Sequence, residues 1–184
     1  MFYYNSAIKS TPYDLGTSLA NIISQNISPD RETVLLCIGS DRSTGDSLGP
    51  LIGYKLSKLN IPGLIIYGTL DNPVHAANLT ETIKQIYSLY ANPYIIAVDA
   101  SLGKKEHIGY ITLSKGSLKP GLGVNKDLPA VGDVHITGIV NFSGMLDNLL
   151  LQTTRLSVVM NLADSITHGI VSGMRSIVGA GIFV

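Results

Sequence analysis

Two aspartates stand where chemistry is most easily built. Asp46 lies in Val34–Pro50 (VLLCIGSDRSTGDSLGP), where an apolar run gives way to a glycine-rich loop, and Asp99 ends the run Tyr94–Val98. Each run reads as a buried parallel strand, and open α/β folds bind ligands just beyond the carboxyl ends of such strands. Two carboxylates at one rim can share a proton, one serving as acid and the other as base toward a water molecule. The alternative is structural: Asp46 as a helix N-cap, Asp99 as a loop-entry residue that satisfies backbone N–H groups.

His135, in VHITGI, could complete a His/Asp/Asp set with the two aspartates, a donor combination that suits zinc or a similar divalent ion. A hydrogen-bonded histidine at a strand end is the other reading. His75, His107 and His168 have no partner pattern and read as surface or structural. Arg42 either pairs with Asp41 to shape the loop or grips a substrate carboxylate or carbonyl. Asp71, in GTLDNP, reads as a turn former.

Two motifs mislead. Gly39–Ser47 (GSDRSTGDS) echoes a phosphate-binding loop, but the spacing is one residue too long and aspartate replaces the lysine. Gly45–Leu48 spells GDSL, a lipase and esterase signature. A Ser47 nucleophile needs a base, and Asp164 and His168 are four apart inside an apparent helix rather than three apart.

The elements that must position these residues alternate. Val34–Ile38, Leu64–Tyr67 and Tyr94–Val98 read as strands, separated by a helix running through Leu48 to Leu59, capped by Ser47 or Asp46, and another from about Val74 to Tyr90. Strand and helix in alternation imply a parallel sheet with right-handed crossovers. Ile108–Leu113 and Val134–Ile139 add extended segments around a glycine-rich loop, Ser114–Asp133. From Ser143 onward one or two apolar-periodic helices cover the sheet. A short helix is expected near Leu15–Ile23.

With 184 residues the chain reads as a single domain spanning 1–184. The 13 basic and 13 acidic residues balance, so no nucleic-acid or polybasic membrane partner is indicated. The single cysteine, Cys37, lies in an apolar run and excludes an intrachain disulfide. No segment reads as a signal peptide or a membrane span, and a cytoplasmic location follows.

GSDRSTGDSLGP (Gly39–Pro50), IIAVDAS (Ile95–Ser101) and PGLGVNKDLP (Pro120–Pro129) resemble the matching blocks of the YyaC-type sporulation proteins. These are relatives of the spore germination protease and, more distantly, of the hydrogenase maturation endopeptidases. The resemblance implies a three-layer α/β/α sandwich with a mostly parallel sheet, of the phosphorylase/hydrolase-like kind. It also implies that Asp46 and Asp99 are the catalytic pair. In the maturation enzymes an acidic residue equivalent to Asp46 helps bind nickel, as does a histidine followed three residues later by glycine, a spacing that His135 and Gly138 fit. Their other acidic ligand falls near Ile66 or Tyr67, which cannot replace it.

The expectation is therefore a sporulation-associated, peptidase-like protein of the cytoplasm, the forespore included, acting on a peptide or protein. Asp46 and Asp99 would activate water, with a divalent metal as an open option. Arg42, Ser43, Thr44 and the Gly116–Gly123 segment, notably Gly121 and Gly123, would hold substrate. The rival is a non-catalytic sporulation protein that binds or regulates on the same scaffold. Self-association is open to either.

Overall fold

The computed structural model describes residues 1–28, 31–120 and 128–179. Six strands form one mixed, mostly parallel sheet: β1 (Phe2–Asn5), β2 (Thr33–Cys37), β3 (Leu64–Tyr67), β4 (Tyr94–Gly103), β5 (Tyr110–Lys115) and β6 (Val134–Phe142). Their order is β1-β5-β6-β4-β2-β3. The four from β6 to β3 run parallel, while β5 and β1 complete one edge antiparallel. The helices are α1 (Thr11–Ser24), α2 (Leu48–Ser57), α3 (Leu79–Leu89), α4 (Asp147–Gln152) and α5 (Leu156–Gly179).

Both faces of the sheet are covered, as a buried parallel sheet requires. Leu35, Cys37, Ile96 and Val98 pack on one side against α1, α2 and α5. Val34, Leu36, Ile95 and Ala97 pack on the other against Leu79 and Ile86 of α3 and the segment around Leu128 and Val131. The expected three-layer α/β/α sandwich is the fold observed. Helices α1 and α5 approach closely because Gly16 faces Gly169 and Gly173; a Cβ at Gly16 would stand 2.8 Å from the Gly169 carbonyl oxygen.

Differences from the sequence reading have local causes. Helix α3 begins at Leu79 rather than Val74, because Val74 bridges to Ile38 and the Asn78 side-chain Oδ1 accepts the His75 N–H at 2.8 Å. Strand β4 runs past Asp99 to Gly103, since β6 continues to pair with it after β2 has ended. The four-residue β1 pairs only at the sheet edge and left too short a pattern to read. Cys37 is fully buried, and burial pushes its thiol upward. Among the described residues no helix is long and apolar enough to cross a membrane.

The sheet reverses direction between β2 and β4: β3 adds on one side of β2, whereas β4 and then β6 add on the other. This is the switch point at which doubly wound sheets open a crevice. Gly39 makes the departure from β2 steep. Its φ is +139°, and a Cβ there would collide with the Asp46 carbonyl. Gly39→Ala should therefore cost about 1–3 kcal/mol in strain alone. In urea unfolding this appears as a lower midpoint with an unchanged slope.

Candidate active site

The crevice forms because neighbouring strands end at different heights. Cys37, the last residue of β2, pairs with Val98, and the Ile38 N–H still donates to the Val98 carbonyl at 2.7 Å. The chain then turns away at Gly39, whose N–H donates to Val74 at 2.8 Å. Strand β4 continues, so Asp99 is the first β4 residue with no β2 partner. It shares its sheet face with Ala97, since side chains alternate along a strand.

Asp46 returns to the same place on a 3₁₀ turn, Gly45–Ser47, that leads into α2. The turn is pinned internally: the Ser47 hydroxyl donates to the Thr44 carbonyl at 2.6 Å. The Ser40 N–H donates to the Asp46 main-chain carbonyl at 3.1 Å. No side-chain hydrogen bond caps α2 or the turn, so the N-cap reading of Asp46 does not describe what this carboxylate does.

Both aspartates line one cavity of about 480 Å³, with Arg42, Ser43, His75 and Ser101 among the other walls. Asp99 is 7% exposed, and its Oδ1 accepts the neighbouring Ala100 N–H at 2.8 Å. Burial pushes its carboxyl well above the usual carboxylate range, and the Asp46 charge pushes it the same way. Asp46 is half-buried; burial raises it too, while the Ser40 N–H and the nearby His75 imidazole draw it back. A buried acid beside a better-solvated one is the arrangement that keeps one proton on a carboxyl pair.

The remaining candidates divide. Arg42 is exposed at the rim, and the Ser43 hydroxyl is buried with no hydrogen-bond partner, as suits a group that waits for a ligand. Thr44 does not line the cavity; its carbonyl holds Ser47 in the turn. Pro120 and Leu128 reach the cavity wall from the glycine-rich segment, but Gly121 and Gly123 lie outside the described residues.

His135 is not at the cavity. It pairs with Ala97, one turn of the pleat below Asp99, and its Nδ1 is 2.8 Å from the Gly116 carbonyl oxygen. Gly138 faces the opposite layer, where a side chain would strike Leu48. Among the described residues no group of three or more His, Cys, Asp and Glu side chains is gathered to hold a metal ion. The donor set around Asp46 and Asp99 thus does not fit a His135-ligated divalent metal.

The histidine that does line the cavity is His75, which the sequence reading left as surface or structural. Its Nδ1 accepts the Ala77 N–H at 3.2 Å, so the neutral ring carries its proton on Nε2. The only sequence signal was its place, eight residues after β3, at the same sheet rim. Asp71 lines a separate cavity of about 490 Å³ beside β3, and Asp41 is an exposed loop residue. The GDSL serine has no base: Asp164 is paired with Lys55 at 2.8 Å, and His168 is exposed on α5.

Because both carboxyls hold protons more tightly folded than unfolded, they favour folding least once ionised. Their contribution falls as pH rises from about 3.9, the unfolded value, through the raised folded values. Asp99→Asn should therefore melt at a higher temperature than the parent protein at pH 7, with the difference shrinking below pH 4. Carboxyl-carbon NMR should show Asp99 titrating above the usual range, and Asp46→Asn should bring it down.

Comparison with known proteins agrees with this architecture. The chain is 53% identical over 137 residues to YyaC of Bacillus subtilis (strain 168), described as an uncharacterized protein, covering 74% of this chain and 67% of that one. Its fold is similar to the crystal structure of the NiFe hydrogenase maturation protease HycI from Thermococcus kodakarensis KOD1. That similarity has a TM-score of 0.53 at 16% identity, over 86% of this chain and 99% of the other. Residues 6–169 match the model of the family described as "Protein of unknown function (DUF1256)", and the chain belongs to that family.

Proposed function

We propose that the chain is a sporulation-associated endopeptidase that hydrolyses a peptide bond with Asp46 and Asp99. The observation that carries the reading is that the two carboxyls share one cavity, in which the charge on one raises the other. The likeness of its fold to a maturation protease supports a peptide as substrate. The sporulation setting rests on the resemblance of DRSTGDSLGP and its companion blocks to the YyaC type.

The roles follow from the asymmetry. Asp99, buried, holds the shared proton; Asp46, half-buried and facing His75, carries the charge. Asp46 takes a proton from a water molecule as its oxygen attacks the scissile carbonyl carbon, and Asp99 gives its proton to the carbonyl oxygen. The tetrahedral diol then collapses: one hydroxyl returns its proton to Asp99, the amine leaves with the proton held by Asp46, and the C–N bond breaks. The unpartnered Ser43 hydroxyl and the Arg42 guanidinium at the rim are donors for the developing oxyanion.

The test is incubation with small acid-soluble spore proteins and with forespore extract, with fragments read by mass spectrometry. Asp46→Asn and Asp99→Asn should each lower kcat by about 10²–10⁴-fold, the usual worth of a positioned acid or base. A chelator should leave the rate unchanged. The profile of kcat/KM against pH should be bell-shaped, falling on the acid side as Asp46 gains a proton and on the alkaline side as Asp99 loses its own. Undiminished cleavage by both single variants would end the proposal.

A further inference from the structure

Helix α4 buries none of its residues completely, although Leu150 and Leu151 are half-buried and Leu151 packs against the main core. Its sequence, DNLLLQ, holds three leucines in six positions, and none of the six is buried. Met145 and Leu146, just before it, are 102% and 65% exposed, and Leu149 within it is 50% exposed. Phe142 and Leu156 at the two ends of this segment are exposed as well. Apolar side chains scattered singly over a surface need no explanation, but a run of them around one short helix marks a contact surface.

The helix is nonetheless held firmly in place. Asp147 Oδ1 accepts the Gly144 N–H at 2.8 Å, and the Leu150 carbonyl accepts from the Asn141 side chain at 2.9 Å and the Thr154 hydroxyl at 2.7 Å. Its carbonyl at Leu151 presses on the turn that carries Asp46, where a Cβ at Gly45 would lie 2.9 Å from it. Asn148, Leu151 and Gln152 of the same helix form a wall of the aspartate cavity. One side of α4 therefore lines the cavity that holds Asp46 and Asp99, and Leu149 lies beside that side on the same helix.

We propose that α4 and the residues leading into it are the apolar arm of a peptide-binding cleft, which takes bulky aliphatic or aromatic side chains on one flank of the scissile bond. The inference rests on the peptide-cleaving reading of the cavity and adds the substrate's chemical class. The occupant is an extended peptide because the exposed Leu149 adjoins Asn148 and stands one helical turn from Gln152, both of which line the aspartate cavity. Asn148 and Gln152 supply uncharged amide groups for a peptide main chain beside the leucines. No charged side chain stands among Leu149, Leu150, Leu151 and Gln152, so this flank selects by apolar contact.

The test uses two sets of fluorescein-labelled octapeptides, one with leucine and phenylalanine at alternate positions and one with serine and asparagine there. Binding is measured by anisotropy to the full chain carrying Asp99→Asn, so that cleavage does not interfere. The apolar set should bind at least about tenfold more tightly, and adding Met145→Gln with Leu149→Gln should remove that preference. Both added changes are at exposed positions, and an unchanged melting temperature shows that the fold persists. Equal binding of the two sets, or full retention of the preference in the triple variant, overturns the proposal. So does a dimer that becomes a monomer on the two glutamine substitutions, which would give the patch to a second copy of the chain. Preference for apolar peptides together with no cleavage by the parent protein would leave this surface standing and overturn the hydrolytic reading instead.

Discussion

Two carboxyl groups in one poorly solvated crevice cannot both ionise cheaply, and the rest of the molecule is arranged around that constraint. Each group loses hydration on entering the cavity, and the charge on Asp46 then opposes a second charge on Asp99. Such a site is sustained only by a scaffold with stability to spare. Here the scaffold is a sheet covered on both faces, with two apolar layers that bury Leu35, Leu36, Ile95 and Ile96 completely. The unfavourable pair sits at the one place where the sheet must open, between strands that diverge at the switch point.

The surroundings separate the two acids by solvation and by charge. Asp99 comes from a strand interior, nearly sealed, with a single main-chain donor to soften its burial. Asp46 comes from a short turn, half in water, with Ser40 and His75 as electropositive neighbours. The division of labour between acid and base is thus set by which secondary-structure element delivers each side chain. The cavity lining adds to this: Leu102, Leu128 and Leu151 limit water at the walls they form, which strengthens the electrostatic interactions inside.

His75 and His135 teach what spacing in a sequence can and cannot carry. His135 sits in a strand that pairs with β4, and its registry puts it one pleat too low, against the Gly116 carbonyl. His75 follows β3 on a loop, where no periodicity marks it, yet the Val74 bridge to Ile38 carries it over the end of β2. A shift of two residues in register, or a single bridge from a loop, decides which imidazole meets the carboxylates. Neither leaves a trace in composition or hydrophobic pattern.

The amino-acid order alone determined the alternation of strands and helices, the burial of Cys37, and the placement of Asp46 and Asp99 at one rim, because hydrophobic periodicity and glycine-rich turns are local properties. The family blocks named the same two aspartates. Only the folded chain decided that β4 overruns β2 to bring Asp99 into the cavity, that Ser43 rather than Thr44 faces it, and that α4 leaves Leu149 in water beside it. Those outcomes depend on strand register and on packing between residues far apart in the chain, which no local pattern encodes.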